Sequence, residues 1–212
     1  MYREPSNDFN LKQKSKNLLL IFTRNPELGK VKTRLAKTIG NEAALNIYKF
    51  LLEHTKKVTQ TIEVDKQVHY SVKIRENDIW DAATYNKRLQ KGEDLGKRMA
   101  KAFQDAFNEG YNKVVIIGSD LYDLSTQDIS EAFDRLDTNQ VVIGPATDGG
   151  YYLLGLTTMI PEIFEDKAWG TSTVFNDTLA NVQDKKYLLL NPKNDVDVYD
   201  DIKDIDIFNQ FI

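Results

Sequence analysis

Short runs of apolar residues recur along this chain, and longer segments of mixed polarity separate them. The clearest run covers residues 114–117, where four consecutive β-branched apolar residues predict a strand buried on both faces. It ends in Gly118-Ser119-Asp120, which leaves a carboxylate at the carboxyl end of a core strand. Apolar or alternating runs predict further strands at residues 17–23, 66–74, 140–144, 151–156 and 187–190.

Apolar residues at helical spacing fill most of the segments between these strands. Asn41 is predicted to cap one helix, and a second helix is predicted to start at Asp94. Ser125 and Asp128 have the spacing of a capping box at the start of a third helix, and Ser172 is predicted to cap a fourth. Strands that alternate with helices predict an α/β fold, in which a mostly parallel central sheet lies between helices on both faces.

The remaining segments have weaker patterns. Residues 75–93 are polar and are predicted to be irregular, with Trp80 and Tyr85 as anchors. Residues 1–16 are predicted to form a flexible N-terminal tail. Residues 17–212 are predicted to form a single domain, because no repeat or low-complexity linker divides them.

The composition narrows the class of protein. The chain has 212 residues and a net charge of −4, so it does not have the basic balance typical of nucleic-acid-binding domains. It contains no cysteine, which excludes disulfides, thiolate metal sites and cysteine nucleophiles. The first residues lack the apolar stretch of a signal peptide, and no apolar run reaches membrane-spanning length. We therefore expect a cytoplasmic protein with no nucleic-acid or membrane partner.

The loop after the first predicted strand is rich in cations, namely Arg24, Lys30, Lys32 and Arg34. A phosphate-rich ligand needs cations and free backbone N–H groups above a strand end, and this loop has both. It is not a Walker A motif, because neither Ser nor Thr follows Lys30, and it is not a dinucleotide-binding fingerprint. A solvated basic loop is the alternative interpretation.

Acidic residues supply the second set of candidates: Asp120, Asp148 and the acidic string at residues 195–201. Mg²⁺ prefers carboxylate oxygens and usually shares one or two of them with substrate phosphates. Two carboxylates from distant strand ends would suit that ion. The alternatives are a loop cap for Asp120, a turn for Asp148 before Gly149, and a solvated helix start for the acidic string.

Other residues give weaker evidence about a functional site. Gly149 and Gly150 allow a backbone to approach a ligand closely. The segment at residues 169–172 is a candidate lining for an acceptor pocket, with a packing role as the alternative for Trp169. His54 and His69 lack metal-ligand spacing and are predicted to be structural, and the absence of a Gly-x-Ser-x-Gly motif argues against a hydrolase.

A series of short motifs, in this order, resembles a known family. The motifs are TRNP and GKVKTRL at residues 23–26 and 29–35, LQKGEDLGKRM at 89–99, GSDLYDL at 118–124, GPATDGGYYLLG at 144–155, WGTS at 169–172 and DVD at 195–197. They are similar to those of the bacterial rSAM/selenodomain-associated transferases, within the GT-A-like nucleotide-diphospho-sugar transferase superfamily. More distant relatives are the guanylyltransferases of phospholactate and of the molybdenum cofactor. The resemblance runs from about residue 17 onward.

The resemblance implies a GT-A-like αβα sandwich that binds a nucleotide on its first half. The opening motif begins at Thr23, and its loop would hold phosphates through Arg24, Lys32 and Arg34. In the next motif, Gln90 and Gly92 would lie near the base or ribose. The glycine-rich first loop of sugar nucleotidyltransferases is missing, which argues against a standard sugar-1-phosphate uridylyl transfer.

The later motifs imply the metal site. Asp120 would bind the metal at the sheet edge, and Asp197 would be its partner. Val198 stands where the related nucleotidyltransferases have threonine, so Asp195 is the alternative second ligand. Tyr122 stands where the family pattern has proline, which suggests a different loop beside the metal.

These observations predict a transferase that depends on Mg²⁺ or Mn²⁺ and uses an NDP-sugar or an NTP as donor. Either glycosyl or nucleotidyl transfer to a small-molecule acceptor fits, and Asp148 would orient or deprotonate the acceptor hydroxyl. The alternative is a nucleotide-binding protein of the same fold without efficient turnover. A receiver-like signalling domain is disfavoured, because Thr23-Arg24 occupies the place of the paired acids that it would need.

Overall fold

A computed structural model describes residues 16–212 of the chain. Its seven strands are β1 (Asn17–Thr23), β2 (Asp65–Tyr70), β3 (Asn86–Leu89), β4 (Lys113–Ile117), β5 (Val141–Pro145), β6 (Tyr151–Leu156) and β7 (Tyr187–Leu189). They form one sheet in the order β3-β2-β1-β4-β6-β5-β7. The predicted tail at residues 1–16 lies outside the described residues except for Lys16, whose carbonyl accepts from the N–H of Asn112 at 2.7 Å.

All strand pairs are parallel except the two that involve β6, which runs antiparallel to both β4 and β5. The carboxyl ends of β1, β4 and β5 therefore lie at one rim of the sheet, together with the start of β6. Residues 146–150 connect β5 to β6 at that rim, so this turn joins the strand ends where ligands bind in open α/β sheets.

In the described part of the chain, five α-helices accompany the sheet: α1 (Thr33–Ile39), α2 (Asn41–Thr59), α3 (Leu95–Asn108), α4 (Thr126–Arg135) and α5 (Val174–Ala180). Short 3-10 helices form at Pro161–Phe164, Tyr199–Asp201 and Asp206–Phe211. None of the helices within residues 16–212 is both long and apolar enough to cross a membrane.

Side-chain alternation along the central strands divides the core between the two faces of the sheet. On one face, Leu19 and Val115 belong to a cluster with residues of α2 and α4, such as Tyr48 and Phe133. On the other face, Leu18, Leu20, Val114 and Ile116 pack with Met99 and Phe103 of α3. The predicted α/β architecture, with helices on both faces of a mostly parallel sheet, is therefore confirmed.

A third apolar cluster joins the C-terminal segment to the first helices. Leu35 of α1 and Ile47 of α2 pack there with Val196, Ile202 and Phe208. Through this packing, the acidic string at residues 195–201 lies next to the amino-terminal end of α1. It is the packing that brings the end of the chain to the rim of the sheet.

Several sequence-based boundaries agree with the structure. Strands β1 and β6 have the predicted bounds, and Ser125 forms the predicted capping box with Asp128. Asp94 caps α3 by accepting from the Lys97 N–H at 2.8 Å. The anchor prediction is confirmed too, because Trp80 and Tyr85 are buried and their ring centroids lie 5.0 Å apart.

Other boundaries were wrong. Residues 86–89 form β3 within the stretch predicted to be irregular, because this edge strand is polar and has no buried face to give it a pattern. Gly40, with φ 86°, caps α2 in place of Asn41, which is its first helical residue. Helix α5 begins at Val174 with no side-chain cap, so Ser172 does not cap it.

The buried His69 on β2 predicts how stability depends on pH. Burial, aided by the charge of Arg88, lowers the pKa of His69 to about 4. Its ring stacks on Phe22 with centroids 5.3 Å apart, and its Nε2 lies 3.0 Å from Gln67 Oε1. In the unfolded chain this histidine binds a proton near pH 6.5, whereas in the folded chain it stays neutral until about pH 4. The contribution of the neutral His69 to the free energy of unfolding is therefore complete above pH 6.5 and is lost as the pH falls toward 4.

We expect His69→Phe to remove this dependence. Between pH 7 and pH 4.5 the unfolding free energy of the variant should fall by roughly 2–3 kcal/mol less than that of the wild type, measured by urea denaturation. Parallel profiles for His69→Phe and the wild type would contradict the assignment.

Candidate functional site

A group of buried hydroxyls fixes the base of the candidate site. The Tyr48 hydroxyl, on α2, accepts from the Arg24 N–H at 2.9 Å and donates to the Arg24 carbonyl at 3.1 Å. The same hydroxyl lies 3.3 Å from both Thr23 Oγ1 and Ser119 Oγ, and Ser119 Oγ donates to Thr23 Oγ1 at 3.1 Å. These bonds hold the loop after β1 against the turn after β4.

Thr23 was predicted to contact a nucleotide. In the structure its side chain lies among these buried hydroxyls, and only 3% of the residue is exposed. Its hydrogen bonds support the rim, and contact with a nucleotide stays a prediction. Tyr48 was missed by sequence reasoning because its position in a helical apolar stripe predicts only core packing.

Lys32 and Asp120 form the central ion pair of the rim. Lys32 Nζ donates to Asp120 Oδ2 at 2.7 Å, and the exposed fractions of the two side chains are 5% and 42%. Burial alone would lower the pKa of Lys32, but the carboxylates of Asp120, Asp197 and Asp195 raise it overall. The lysine is thus held charged in a place that favours cations.

The backbone of Lys32 is unusual. Its φ of 47° and ψ of 44° lie in the left-handed region, which non-glycine residues seldom adopt. Its carbonyl accepts from the Ala36 N–H at 2.9 Å, so Lys32 begins α1 while its side chain turns toward β4. Strained backbone of this kind is found preferentially at functional sites.

The other cations of the opening loop are more exposed. Arg34 Nη1 donates to Asp197 Oδ2 at 2.7 Å, and 63% of the arginine side chain is exposed. Arg24 is exposed, and Lys30 pairs with Glu27 at 2.8 Å. Lys32 and Arg34 therefore meet two of the predicted acidic residues, Asp120 and Asp197, at the same rim of the sheet.

Asp195 shows how tightly the acids are grouped. Burial, together with the nearby charges of Asp148 and Asp120, raises the pKa of Asp195 to about 6. Asp120, Asp148 and Asp195 also line one cavity of about 120 Å³. Across the described part of the chain no three acidic or histidine side chains form a complete cation site. The cavity instead resembles a half-site, to which a ligand would have to add further oxygens.

A fourth acid holds the acidic string in shape. Asp201 Oδ2 accepts from the backbone N–H groups of Asp197 and Val198 at 2.8 and 2.7 Å, and Oδ1 accepts from Asn194 Nδ2 at 2.9 Å. These bonds lower the pKa of Asp201 against the opposing effect of its partial burial. Asp201 therefore orients the segment that carries Asp195 and Asp197, as a helix-capping acid would.

The turn at residues 148–150 has a structural reason for its glycines. Gly149 has a φ of 93°, and a Cβ there would lie 2.3 Å from the Ser172 carbonyl oxygen. Its own carbonyl accepts from the Phe175 N–H at 2.9 Å, and the Gly150 N–H donates to Asp148 Oδ1 at 2.8 Å. The turn therefore fixes the Asp148 carboxylate and docks the start of α5.

Gln90 directly follows β3, and Gly92 lies two residues further along, next to the start of α3. Gln90 Nε2 donates to the carbonyls of His69 and Thr23 at 2.9 and 3.3 Å, so the side chain joins two strand ends. Gly92 has a φ of 145°, and its carbonyl accepts from Arg98 Nε at 2.9 Å. Contact of these residues with a base or ribose stays a prediction.

Tyr122 turns away from the acids. Its ring lies 5.9 Å from that of Phe50, 5.3 Å from that of His54 and 5.2 Å from that of Phe208, measured between centroids. It packs against the third apolar cluster. Tyr122, at the position where the resembled transferase pattern has proline, therefore packs against the C-terminal segment.

The sequence pattern of DUF2064, a family described as uncharacterized proteins conserved in bacteria, matches residues 54–171, more than half of the chain. The chain belongs to this family. The narrower resemblance to the rSAM/selenodomain-associated transferases stays a prediction. No curated protein sequence matches the chain.

Solved structures extend the comparison from the DUF2064 family to the fold. A candidate nucleotide-diphospho-sugar transferase from Desulfovibrio desulfuricans G20 is similar, with a TM-score of 0.80 and 33% identity, over 87% of this chain and 83% of that one. The 4-diphosphocytidyl-2C-methyl-D-erythritol synthase of Anaerococcus prevotii DSM 20548 shares the fold, with a TM-score of 0.56 and 9% identity, over 92% and 97% of the two chains. The predicted nucleotide-diphospho-sugar transferase fold is confirmed.

The raised pKa of Asp195 predicts an effect on stability. In the folded state Asp195 keeps its proton up to about pH 6, whereas an unfolded aspartate loses its proton near pH 3.8. The protonated side chain therefore stabilises the fold, and this contribution is lost as the pH rises through 6. Asparagine resembles the protonated acid. We expect Asp195→Asn to raise the melting temperature at pH 8 and to leave it nearly unchanged at pH 4.5.

The measurement is thermal unfolding at both pH values without divalent cations. Asp200→Asn is the control, because Asp200 lies in the same acidic stretch with 78% of its side chain exposed. This variant removes one acid from that stretch without changing the lining of the acidic cavity. A lower melting temperature for Asp195→Asn at pH 8 would show that the charged carboxylate stabilises the fold.

Proposed function

We propose that this protein is a Mg²⁺-dependent transferase whose donor is a nucleotide, either an NDP-sugar or an NTP. The observation that carries the proposal is the convergence at one rim of two cations, Lys32 and Arg34, with the carboxylates of Asp120, Asp195 and Asp197. The relative from D. desulfuricans G20, a candidate nucleotide-diphospho-sugar transferase at 33% identity, supports the same class of donor.

The ion pairs of the rim suit an exchange of partners. Lys32 and Arg34 are each within 2.7 Å of a carboxylate oxygen. A diphosphate that arrives with its metal ion brings both signs of charge. The side chains of Lys32 and Arg34 can then bind phosphate oxygens while the carboxylates bind the metal ion. This exchange keeps the local charge nearly balanced, which limits the cost of desolvation.

The residues present fit a hard divalent cation. Asp120 is half-exposed and faces a buried ammonium, which already marks the position as favourable for positive charge. We assign Asp195 as the second ligand, because it lines the same cavity as Asp120 and Asp148, whereas Asp197 is held by Arg34. Asp197 is the alternative. When bound, Mg²⁺ would neutralise the diphosphate and orient it for transfer.

The chain's own residues account for the remaining chemistry. The acceptor oxygen forms a bond to the anomeric carbon of an NDP-sugar or to the α-phosphorus of an NTP, and the bond to the departing NDP or pyrophosphate breaks. Lys32 and Arg34 stabilise the negative charge that develops on the leaving group. Asp148 receives the acceptor's hydroxyl proton, and with Oδ1 held by the Gly150 N–H we assign that role to Oδ2.

The first test is Asp120→Asn. We expect it to remove metal-dependent nucleotide binding, because the amide keeps the shape of the carboxylate without its charge. Calorimetric titration with CTP, GTP, UDP-glucose and GDP-mannose, with and without Mg²⁺, measures the effect, and a loss of at least tenfold in affinity is expected only when Mg²⁺ is present.

Asp123→Asn is the matched control for this test, since Asp123 is an exposed acid on the same loop. Circular dichroism should show that both variants fold. If Asp120→Asn binds every nucleotide in Mg²⁺ as tightly as the wild type does, the metal assignment fails. Mass spectrometry of reaction mixtures then distinguishes a transferase, which forms product, from a binding protein, which forms none.

The second test is Arg34→Ala. Loss of a charge-assisted contact to phosphate should weaken donor binding by about tenfold and reduce its dependence on salt. Arg135→Ala is the control, because Arg135 forms a comparable exposed pair with Glu131 on α4. Affinities measured at two salt concentrations would refute the role of Arg34 if both variants behaved alike.

A further inference from the structure

A second cavity of about 240 Å³ lies beside the acidic one. It is formed by the start of β6, the first turns of α3 and residues 169–174, with Leu95, Met99, Ile116, Trp169 and Val174 among the residues that line it. Gly118, Asp148, Gly150, Tyr151 and Tyr152 line both cavities. The two therefore adjoin one another, with Asp148 at their common boundary.

The apolar wall is built into the fold. A Cβ at Gly96 would lie 2.5 Å from Trp169 Nε1 and from the Phe164 carbonyl oxygen, so only glycine lets the indole pack against α3. Leu95 is the first residue of α3 and is 44% exposed, although a polar residue would suit a solvated helix start. An exposed leucine beside a half-buried tryptophan indicates a surface that binds an apolar group.

One polar group in this wall has a weak partner. The Tyr151 hydroxyl lies 3.9 Å from Met99 Sδ, and a thioether sulfur is a poor acceptor. Burial raises the pKa of Tyr151, so the hydroxyl stays neutral and can donate. A ligand oxygen that reached this side chain would be a stronger partner for it than the sulfur.

We propose that this cavity holds the apolar body of the acceptor, a hydroxyl compound with one ring and a short substituent. The inference rests on the proposed function, because it places the acceptor's hydroxyl at Asp148 and its body against Leu95 and Trp169. A cavity of about 150 Å³ can hold benzene, so 240 Å³ leaves room for a ring and a hydroxymethyl arm. A sugar or glycerol would leave most of its hydroxyls without partners here.

The test uses benzyl alcohol and cyclohexylmethanol as apolar probes and glycerol and glucose as polar ones. The indole N–H signal of Trp169 in ¹H–¹⁵N spectra reports binding, and Trp80 is an internal control, because it is buried in the other core cluster. We expect both apolar probes to shift the Trp169 signal in a saturable way and the polar ones to leave it in place. Comparable shifts with glycerol would overturn the proposal.

A pair of matched variants tests the site. Leu95→Gln should raise the dissociation constant of benzyl alcohol by at least about fivefold, because it places an amide in the apolar wall. Leu189→Gln changes an equally exposed leucine on β7, 42% against 44%, that does not line the cavity, and should leave the constant unchanged. Equal constants for the two variants would overturn the assignment.

Nucleotide binding in Mg²⁺, measured on the same wild-type samples, separates this inference from the proposed function. If nucleotide binds and neither apolar probe does, the acceptor assignment fails and the donor site stands. If the apolar probes bind and no nucleotide does, the proposed function fails and so does the cavity's role as an acceptor site. Binding of both, with a tighter probe constant in the presence of nucleotide and Mg²⁺, is the result that we expect.

Discussion

The candidate site depends on the ion pair between Lys32 and Asp120. It joins the loop after β1 to the turn after β4, and these two strands are neighbours at the centre of the sheet. Lys32 makes the contact from a left-handed backbone conformation and with a side chain that is almost fully buried. A buried ammonium needs a charged partner, so the pair and the hydroxyls around Tyr48 together fix the geometry of the rim.

The reversal of β6 is the second constraint. If β6 ran parallel to its neighbours, residues 146–150 could not connect it directly to β5 at the rim that carries Asp120. Because β5 and β6 form a hairpin, Asp148 lies at the same edge as the opening loop. This one antiparallel strand places an acid beside both the polar and the apolar cavity. It thereby gives the proposed donor and acceptor sites a common boundary.

The C-terminal segment supplies the third contribution. Val196, Ile202 and Phe208 are buried against α1 and α2, and the neighbouring Asp195 and Asp197 lie close enough to Lys32 to raise its pKa. Asp201 then orders the backbone around Asp197 through two N–H bonds. Apolar anchoring thus determines where the acids lie, and hydrogen bonding determines how they are directed. The acidic string is a folded part of the site.

The sequence by itself determined the elements whose signals are local. Buried apolar runs predicted β1 and β4, a hydrophobic stripe predicted α3, and Ser125 with Asp128 predicted the start of α4, since each pattern reflects neighbouring residues only. It also picked out Lys32, Arg34, Asp120 and Asp148, because charge at a strand end is visible in the chain. Polar β3 gave no such pattern and was missed.

Only the tertiary structure decided how these residues meet. The pair of Lys32 and Asp120 joins residues 88 positions apart, and the pair of Arg34 and Asp197 joins residues 163 positions apart. The hydrogen bonds of Tyr48 span 24 to 71 residues of chain. Such contacts depend on strand order, on the direction of β6 and on the packing of the C-terminal segment. Those features arise from the burial of apolar faces against each other, which a local pattern of residues does not encode.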